Sequence, residues 1–283
     1  MTNTMRRKQI AGETVEILKR ESYQAPDGRD ISLAAELRDC LENTRCYTPE
    51  QLDALRKQVR AQPAAFTQTR LEVSGETTLE AAARLAGSGD FARLGVLNFA
   101  SAKSPGGGFL GGAQAQEESL ARSSGLYQSL LACRAYYEFH RSHPSCLYSD
   151  HMIFSPGCPV FRTDDGALLE RPYRVDFITS PAPNAGAIRR NEPSSVGKIK
   201  PILRQRSGKL LSLAAFHRCD ALILGAWGCG VFQNDPAMVA DAFFDHLKPE
   251  TAFQGRFRLV LFAVLDPSAG QATLAAFRER FGS

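Results

Sequence analysis

The sequence predicts an α/β protein, a sheet covered by helices on both sides, preceded by a helical N-terminal extension. Three observations predict it. Near-continuous apolar runs recur at "LGVLNFA" (94–100), "YRVDFITS" (173–180), "CDALILGAWG" (219–228) and "FRLVLFAVL" (257–265). Such runs mark strands buried on both faces. Helical patterns at 77–86, 116–132, about 195–217, 235–247 and 268–281 separate them, which is the alternation of a three-layer α/β/α sandwich. Two of the runs pass directly into glycine-rich loops.

Taken in chain order, residues 1–69 read as a mostly helical extension and 70–283 as the α/β domain. In "TPEQLDALRKQVRAQ", Thr48 is placed as N-cap and Pro49 at the first helical position, and Leu52, Leu55 and Val59 form an apolar stripe. The first 69 residues carry no legible chemistry. "APNAGAIRRNEPSS" (182–195), rich in Pro, Asn, Gly and Ser, reads as a loop.

Composition narrows the class. The 283 residues are 43% hydrophobic and 23% charged, ordinary for a globular chain with a large core. A net charge of +4 fits an anionic ligand and is too small to argue for sequence-specific nucleic-acid binding. Seven cysteines without a C-x-x-C pair argue against a disulfide framework or structural zinc, and for reduced thiols in a cytoplasm. The N-terminus lacks the apolar stretch of a signal peptide, and no run of 18 apolar residues suggests a membrane span.

The stretch "SPGGGFLGGAQAQEESLARSSGLY" (104–127) carries the chemistry. Strand, glycine loop and helix succeed one another, the geometry in which ligands bind beyond the carboxyl ends of strands. Gly106, Gly107 and Gly108 let the backbone turn tightly and approach a ligand, and their N–H groups and the helix start near 114–116 suit an anion or sugar. The loop lacks the G-K-[S/T] ending of a nucleotide P-loop and the G-x-G-x-x-G pattern of dinucleotide sites. Glu117 and Glu118 in a first helical turn would ordinarily serve only to complement the dipole. Beside a loop that admits a ligand they gain a second use. Adjacent helical residues diverge by about 100°, so the two divide the work: one grips a sugar hydroxyl and the other meets the bond to be broken. An acid at neutral pH needs a raised pKa, which a helix N-terminus opposes and burial supplies.

The second loop, "GAWGCGVFQNDP" (225–236), also follows a buried strand and precedes a helix capped by Asn234 or Asp235, with Pro236 in its first turn. Gly228, Cys229 and Gly230 offer backbone donors for a second anion contact, and Phe232 stands at the loop's edge. Trp227 reads as a core aromatic.

Together these loops resemble the bacterial-type poly(ADP-ribose) glycohydrolases, a branch of the macrodomain superfamily. The signature is G-G-G, a spacer of six to eight residues and Q-E-E; here it is Gly106-Gly107-Gly108, seven residues, then Gln116-Glu117-Glu118. "GAWGCGVF" resembles the family's diphosphate loop, and "NFAS" (98–101) and "SPAPN" (180–184) are also similar. The resemblance implies a macrodomain with a mixed central sheet, and a glycosidase that hydrolyses ribose–ribose bonds of poly(ADP-ribose) to release ADP-ribose. It implies that Glu118 is the acid that protonates the glycosidic oxygen and then activates water. Glu117 would fix ribose hydroxyls, Gln116 would orient the pair, and Gly106, Gly107 and Gly108 would line the scissile ribose. Gly228, Cys229, Gly230 and Val231 would hold the diphosphate, and Phe232 would position the terminal ribose. Many macrodomains carry N-A-A-N after this strand; here Ser101 stands at the second Asn and is kept as a candidate ribose contact.

No cofactor and no metal are implied. The partners implied are poly(ADP-ribose) or ADP-ribose and ADP-ribosylated proteins, the setting a DNA damage response, and the expected state a monomer. Two other readings share the resemblance: a reader that binds ADP-ribose without cleaving it, and a hydrolase of mono-ADP-ribosyl protein or acyl-ADP-ribose. Readers commonly lack the Q-E-E triplet, so its presence favours catalysis.

Other residues carry weaker expectations. His140 and His143 read as a solvated helix end, and His151 and His217 as core or rim histidines with partners. Cys229 reads as a small loop residue rather than a nucleophile. The basic run "KIKPILRQRSGK" (198–209) reads as a solvated helix face, with Arg204, Arg206, Arg189 and Arg190 as lesser candidates for meeting a polyanion.

Overall fold

Strands whose two faces are both apolar organise the molecule, which is seen in a computed structural model that describes residues 2–282. The chain opens with α1 (Asn3–Arg20), a hairpin of β1 (Ser22–Gln24) and β2 (Asp30–Ser32), α2 (Ala34–Asn43), β3 (Arg45–Tyr47) and α3 (Pro49–Ala61). It continues through β4 (Arg70–Ser74), α4 (Thr78–Ser88), β5 (Leu94–Phe99), α5 (Gln116–Ser123), α6 (Leu126–Ala132), α7 (Arg134–Ser142), β6 (Met152–Arg162) and β7 (Leu168–Ser180). The last third holds α8 (Ala185–Asn191), α9 (Ile199–Phe216), β8 (Ala221–Leu224), α10 (Pro236–Leu247), β9 (Leu259–Ala263) and α11 (Ala272–Phe281).

Seven strands form one mixed sheet in the order β3-β6-β7-β5-β8-β9-β4. β7, β5, β8, β9 and β4 run parallel, while β6 is antiparallel to β7 and β3 antiparallel to β6. Alternate residues feed the two cores. Leu97, Leu222, Leu224, Val260 and Phe262 pack with α3, α9, α10 and α11 residues on one side. Val96, Ala221, Ile223, Leu259 and Leu261 pack with α4, α6 and α7 residues on the other. At about 1.5–3 kcal/mol for each large apolar side chain removed from water, these two layers hold the helices to the sheet.

The N-terminal segment is more closely joined to the sheet than a helical extension implies. Its α3 has the expected Thr48 cap, completed by Gln51, and Pro49 at its start. Its β3, however, is the outermost strand of the main sheet, paired with β6 through Cys46 and Ile153. Helix α1 lies against the first glycine loop: Ala11 packs with Phe109 and Ala121, and the Arg7 guanidinium donates to the Gly112 carbonyl at 2.8 Å.

Two local expectations are corrected. The 182–195 stretch is not a loop. Asn184 accepts from the Ala187 amide at 3.0 Å and starts α8, and a 3-10 turn covers Pro193–Lys198. The single helix expected over 116–132 breaks at Ser124, which is extended, bridges to Val160 and returns its hydroxyl to the Leu120 carbonyl.

Candidate active site

Four parallel strands deliver their carboxyl ends to one place. Segments after β4 (Glu76–Leu79), β5 (Ser101–Ser104), β8 (Ala226–Phe232) and β9 (Val264–Pro267) line a cavity of about 920 Å³. The start of α5 and Tyr148 complete its wall. This is where an open parallel sheet places ligands.

Gln116 fastens α5 to the strand before it. Its Oε1 accepts from the Phe99 amide at 2.9 Å, and its Nε2 donates to the Leu97 carbonyl at 2.7 Å and to Thr78 Oγ1 at 3.2 Å. With both ends of the amide committed, Gln116 sets the first turn of α5, and so the two glutamates, against β5.

The glutamates then diverge. Glu117 is 3% exposed, and its carboxylate accepts from the Ser101 amide at 2.7 Å and from Asn98 Nδ2 at 3.2 Å. Burial, outweighing these donors, raises its pKa to about 8. Glu118 lines the open cavity, where its Oε1 accepts the Gly108 amide at 2.9 Å. Gly107 has φ +60°, and a Cβ there would overlap Glu118 Oε1 and stand 2.9 Å from its carboxyl carbon. Glycine is therefore required at this position for the carboxylate to reach its place.

The first loop is less an anion cradle than its sequence implies. The Gly107 amide donates to the Ser104 carbonyl, and the Gly108 amide holds Glu118. The Ser101 hydroxyl accepts from the Ser104 and Lys103 amides at 3.1 and 3.3 Å, fixing the turn after β5. Anion donors lie instead in the second loop. Among the described residues, the amides of Gly230, Val231 and Phe232 donate to no protein acceptor. Gly228 has φ +73°, and a Cβ there would come 2.5 Å from Ala182 and from Asn234. Asn234 Nδ2 ties this loop down by donating to the Pro183 carbonyl at 2.8 Å and the Gly228 carbonyl at 3.1 Å. Asp235, not Asn234, caps α10.

Phe232 is half-buried at the rim, 5.9 Å from the Tyr148 ring. Trp227 is buried, and its indole donates to the Ser180 carbonyl at 3.0 Å. Burial pushes the Cys229 thiol up to about 12, which suits an inert loop residue. The structure thus brings Ser101, Gly107, Gly108, Gln116, Glu117, Glu118, Gly228, Cys229, Gly230, Val231 and Phe232 to one cavity. Gly106 stands just behind it with φ +69°, facing Phe109 and Ala121.

Two contributors carried weaker sequence signals. Asn98 is a lone amide in an apolar strand and opens the N-F-A-S stretch of the resemblance, which gives it no role of its own. Tyr148 comes from an irregular segment and has φ +54°. Elsewhere, His140 is not a solvated helix end. It is 1% exposed, bonded to the Tyr136 carbonyl and Ser149, and burial lowers its pKa to about 4. His217 stacks on Phe154 and bonds the Tyr47 hydroxyl at 2.8 Å, a core histidine with a partner. Arg206 faces inward to Asp150 rather than outward to a polyanion. Among the described residues no helix is long and apolar enough to cross a membrane.

Known proteins share the family and the fold. A family model described as "microbial-type PARG, catalytic domain" matches residues 11–163. The solved poly(ADP-ribose) glycohydrolase of Thermomonospora curvata is 51% identical, with a TM-score of 0.93, over 98% of this chain and 100% of that one. The same enzyme bound to the inhibitor ADP-HPD superposes with a TM-score of 0.91 at 51% identity, with the same coverage of both chains. The Deinococcus radiodurans poly(ADP-ribose) glycohydrolase in complex with ADP-ribose is 47% identical, with a TM-score of 0.80, over 86% of this chain and 96% of that one. No curated protein sequence matches the chain. The fold agrees with these matches, and the chain belongs to the microbial-type PARG catalytic-domain family.

Proposed function

We propose that the protein hydrolyses the ribose–ribose O-glycosidic bonds of poly(ADP-ribose) and releases ADP-ribose, with Glu118 as general acid and then general base. The observation that carries this reading is the placement of Glu118: held by the Gly108 amide, on the cavity side of α5, against a glycine that leaves room for nothing larger. The terminal ADP-ribose unit would lie with its diphosphate on the free amides of Gly230, Val231 and Phe232, and with ribose hydroxyls at Glu117. Ser101 would meet the ribose through its place on the cavity wall. Phe232, backed by Tyr148, would cover the terminal ribose.

The chemistry balances within this site. Glu118 gives its proton to the bridging oxygen as the bond from that oxygen to the anomeric carbon breaks, leaving an oxocarbenium-like centre. A water oxygen then bonds to that carbon and returns a proton to Glu118. The substrate's diphosphate supplies the negative charge that a second opposed carboxylate supplies in other glycosidases. ADP-ribosylated proteins are the proposed carriers of the polymer, a DNA damage response its occasion, and a monomer in a cytoplasm, where the seven cysteines stay reduced, the working form.

Glu118→Gln tests the reading. Loss of general acid catalysis is expected to slow release of ADP-ribose by roughly 10²–10⁴-fold. Calorimetry should show ADP-ribose still binding. Turnover at the parent rate would remove Glu118 from the chemistry. The parent protein assayed side by side on polymer and on mono-modified protein separates polymer hydrolysis from removal of a single unit.

A further inference from the structure

The charges around the cavity are lopsided. Glu76, Glu117, Glu118, Asp164 and Asp266 contribute to its lining, and Lys103 is the single cation among the lining residues. A ligand with a diphosphate would find backbone amides at the second glycine loop, but among the described lining residues one positive side chain, which belongs to the turn after β5 and not to that loop. Lys103 is exposed and follows β5 in the turn that leads to Gly107. Its carbonyl accepts Arg141 Nε at 3.0 Å, which anchors a guanidinium from the end of α7 beside it. The Arg141 guanidinium also sits 6.0 Å from the centre of the Tyr137 ring. Among the described residues, neither Lys103 nor Arg141 has a carboxylate within ion-pair distance, whereas Arg84, Arg93, Arg204 and Arg280 all do.

The proposed reaction gives this position a meaning. Glu118 must reach the bridging oxygen, and the first glycine loop stands directly against Glu118. The unit to be released extends from there towards the second loop and its free amides. The chain left behind is joined at the same oxygen, beside the loop that holds Glu118 and whose preceding turn carries Lys103. Its first diphosphate carries two negative charges, and Lys103 is the cation that the described lining residues offer it.

We propose that Lys103 and Arg141 form a phosphate-binding pair for the diphosphate of the unit adjacent to the one in the cavity, so that the site grips polymer more tightly than free ADP-ribose. The inference rests on the glycohydrolase reading above. A flexible ammonium can follow a moving diphosphate, and the anchored guanidinium offers its remaining N–H groups as a fork. Because both groups are exposed, the grip weakens as salt rises.

The test uses the full chain carrying Glu118→Gln, so that the ligand survives, with affinities measured for labelled poly(ADP-ribose) and for free ADP-ribose. Adding Lys103→Ala and Arg141→Ala together should weaken polymer binding roughly three- to tenfold at low salt and flatten its salt dependence. Affinity for free ADP-ribose should hold, and Lys103→Arg should retain the parent's grip on polymer. Unchanged polymer affinity with an unchanged salt slope would overturn the inference. So would a parallel loss for free ADP-ribose, which would assign the pair to the released unit's own diphosphate. Failure of the Glu118→Gln chain to bind ADP-ribose at all would count against the glycohydrolase reading itself, a result distinct from both.

Discussion

The Gly108 amide holds Glu118 Oε1 at 2.9 Å, and the adjoining Gly107 is what allows it. The carboxylate lies where the Cβ of any other residue would be. The glycine run therefore serves the acid's position before it serves the ligand. Gly107→Ala should displace the carboxyl group and force a side chain into the left-handed region, at a backbone cost of about 1–2 kcal/mol. A displacement near 1 Å at a reacting group can cost on the order of 10²-fold in rate. Measured kcat on polymer should fall by about that factor, with a melting temperature lowered by only a few degrees. A fully active Gly107→Ala protein would show that Glu118 need not stand where the structure has it.

Glu117 gives a prediction with a definite sign. Burial raises its pKa to about 8 in the folded protein against 4.5 for the free side chain. Between those values the folded state holds a proton that the unfolded state has lost, so stability falls as pH rises through this window. The contribution is complete below about pH 4.5 and gone above about pH 8. Glu117→Gln cannot titrate. The parent's melting temperature, relative to that variant, should therefore fall between pH 5 and pH 9. Parallel melting curves over that range would mean that the carboxyl group is already ionised at pH 5 in the folded protein.

The sequence and the structure part company where local signals conflict. β5, β8 and β9 were legible because burial on both faces leaves unbroken apolar runs. β6 was not, because Pro156, Gly157 and Pro159 interrupt it; the sheet absorbs them through a register shift between Ser155 and Cys158. α8 was hidden by the Pro, Asn and Gly around it, although Asn184 is its cap. At the site, Glu117, Glu118 and the two glycine runs could be read because their spacing is itself a pattern. Asn98 and Tyr148 could not be assigned in the same way, since their roles come from neighbours far away in the chain: Glu117 for one, Phe232 for the other. The inward turn of Arg206 was equally illegible. A basic run on a helix gives no sign of an acid waiting beneath it.

That buried arginine supports the last prediction. Arg206 is 1% exposed, and its guanidinium donates to Asp150 at 2.9 Å, to the Pro181 carbonyl at 2.7 Å, and to the Leu147 and Tyr148 carbonyls at 3.1 and 3.3 Å. Lys209, equally buried, reaches Asp150 at 3.0 Å. Asp150 therefore faces both buried cations, while Lys209 has a second partner in Asp53 at 3.1 Å, and the assembly fixes the backbone that presents Tyr148 to the cavity. Burial alone would raise the pKa of Asp150, but Arg206 and Lys209 outweigh it, and the net shift is downward. A depressed carboxyl pKa contributes stability that is present above the unfolded value and is lost as pH falls through the folded one. Asp150→Asn should remove that acid sensitivity and leave the buried Arg206 without a carboxylate, while Lys209 keeps Asp53, at a cost of about 3–5 kcal/mol. For a chain of this size that is a drop in melting temperature of about 5–8 °C at neutral pH. The loss should narrow as the pH falls below 3.8, the ordinary carboxyl value at which the unfolded chain takes up this proton, and go on narrowing through the lower folded value. A variant that melts with the parent at pH 7 would mean that Arg206 finds its compensation elsewhere.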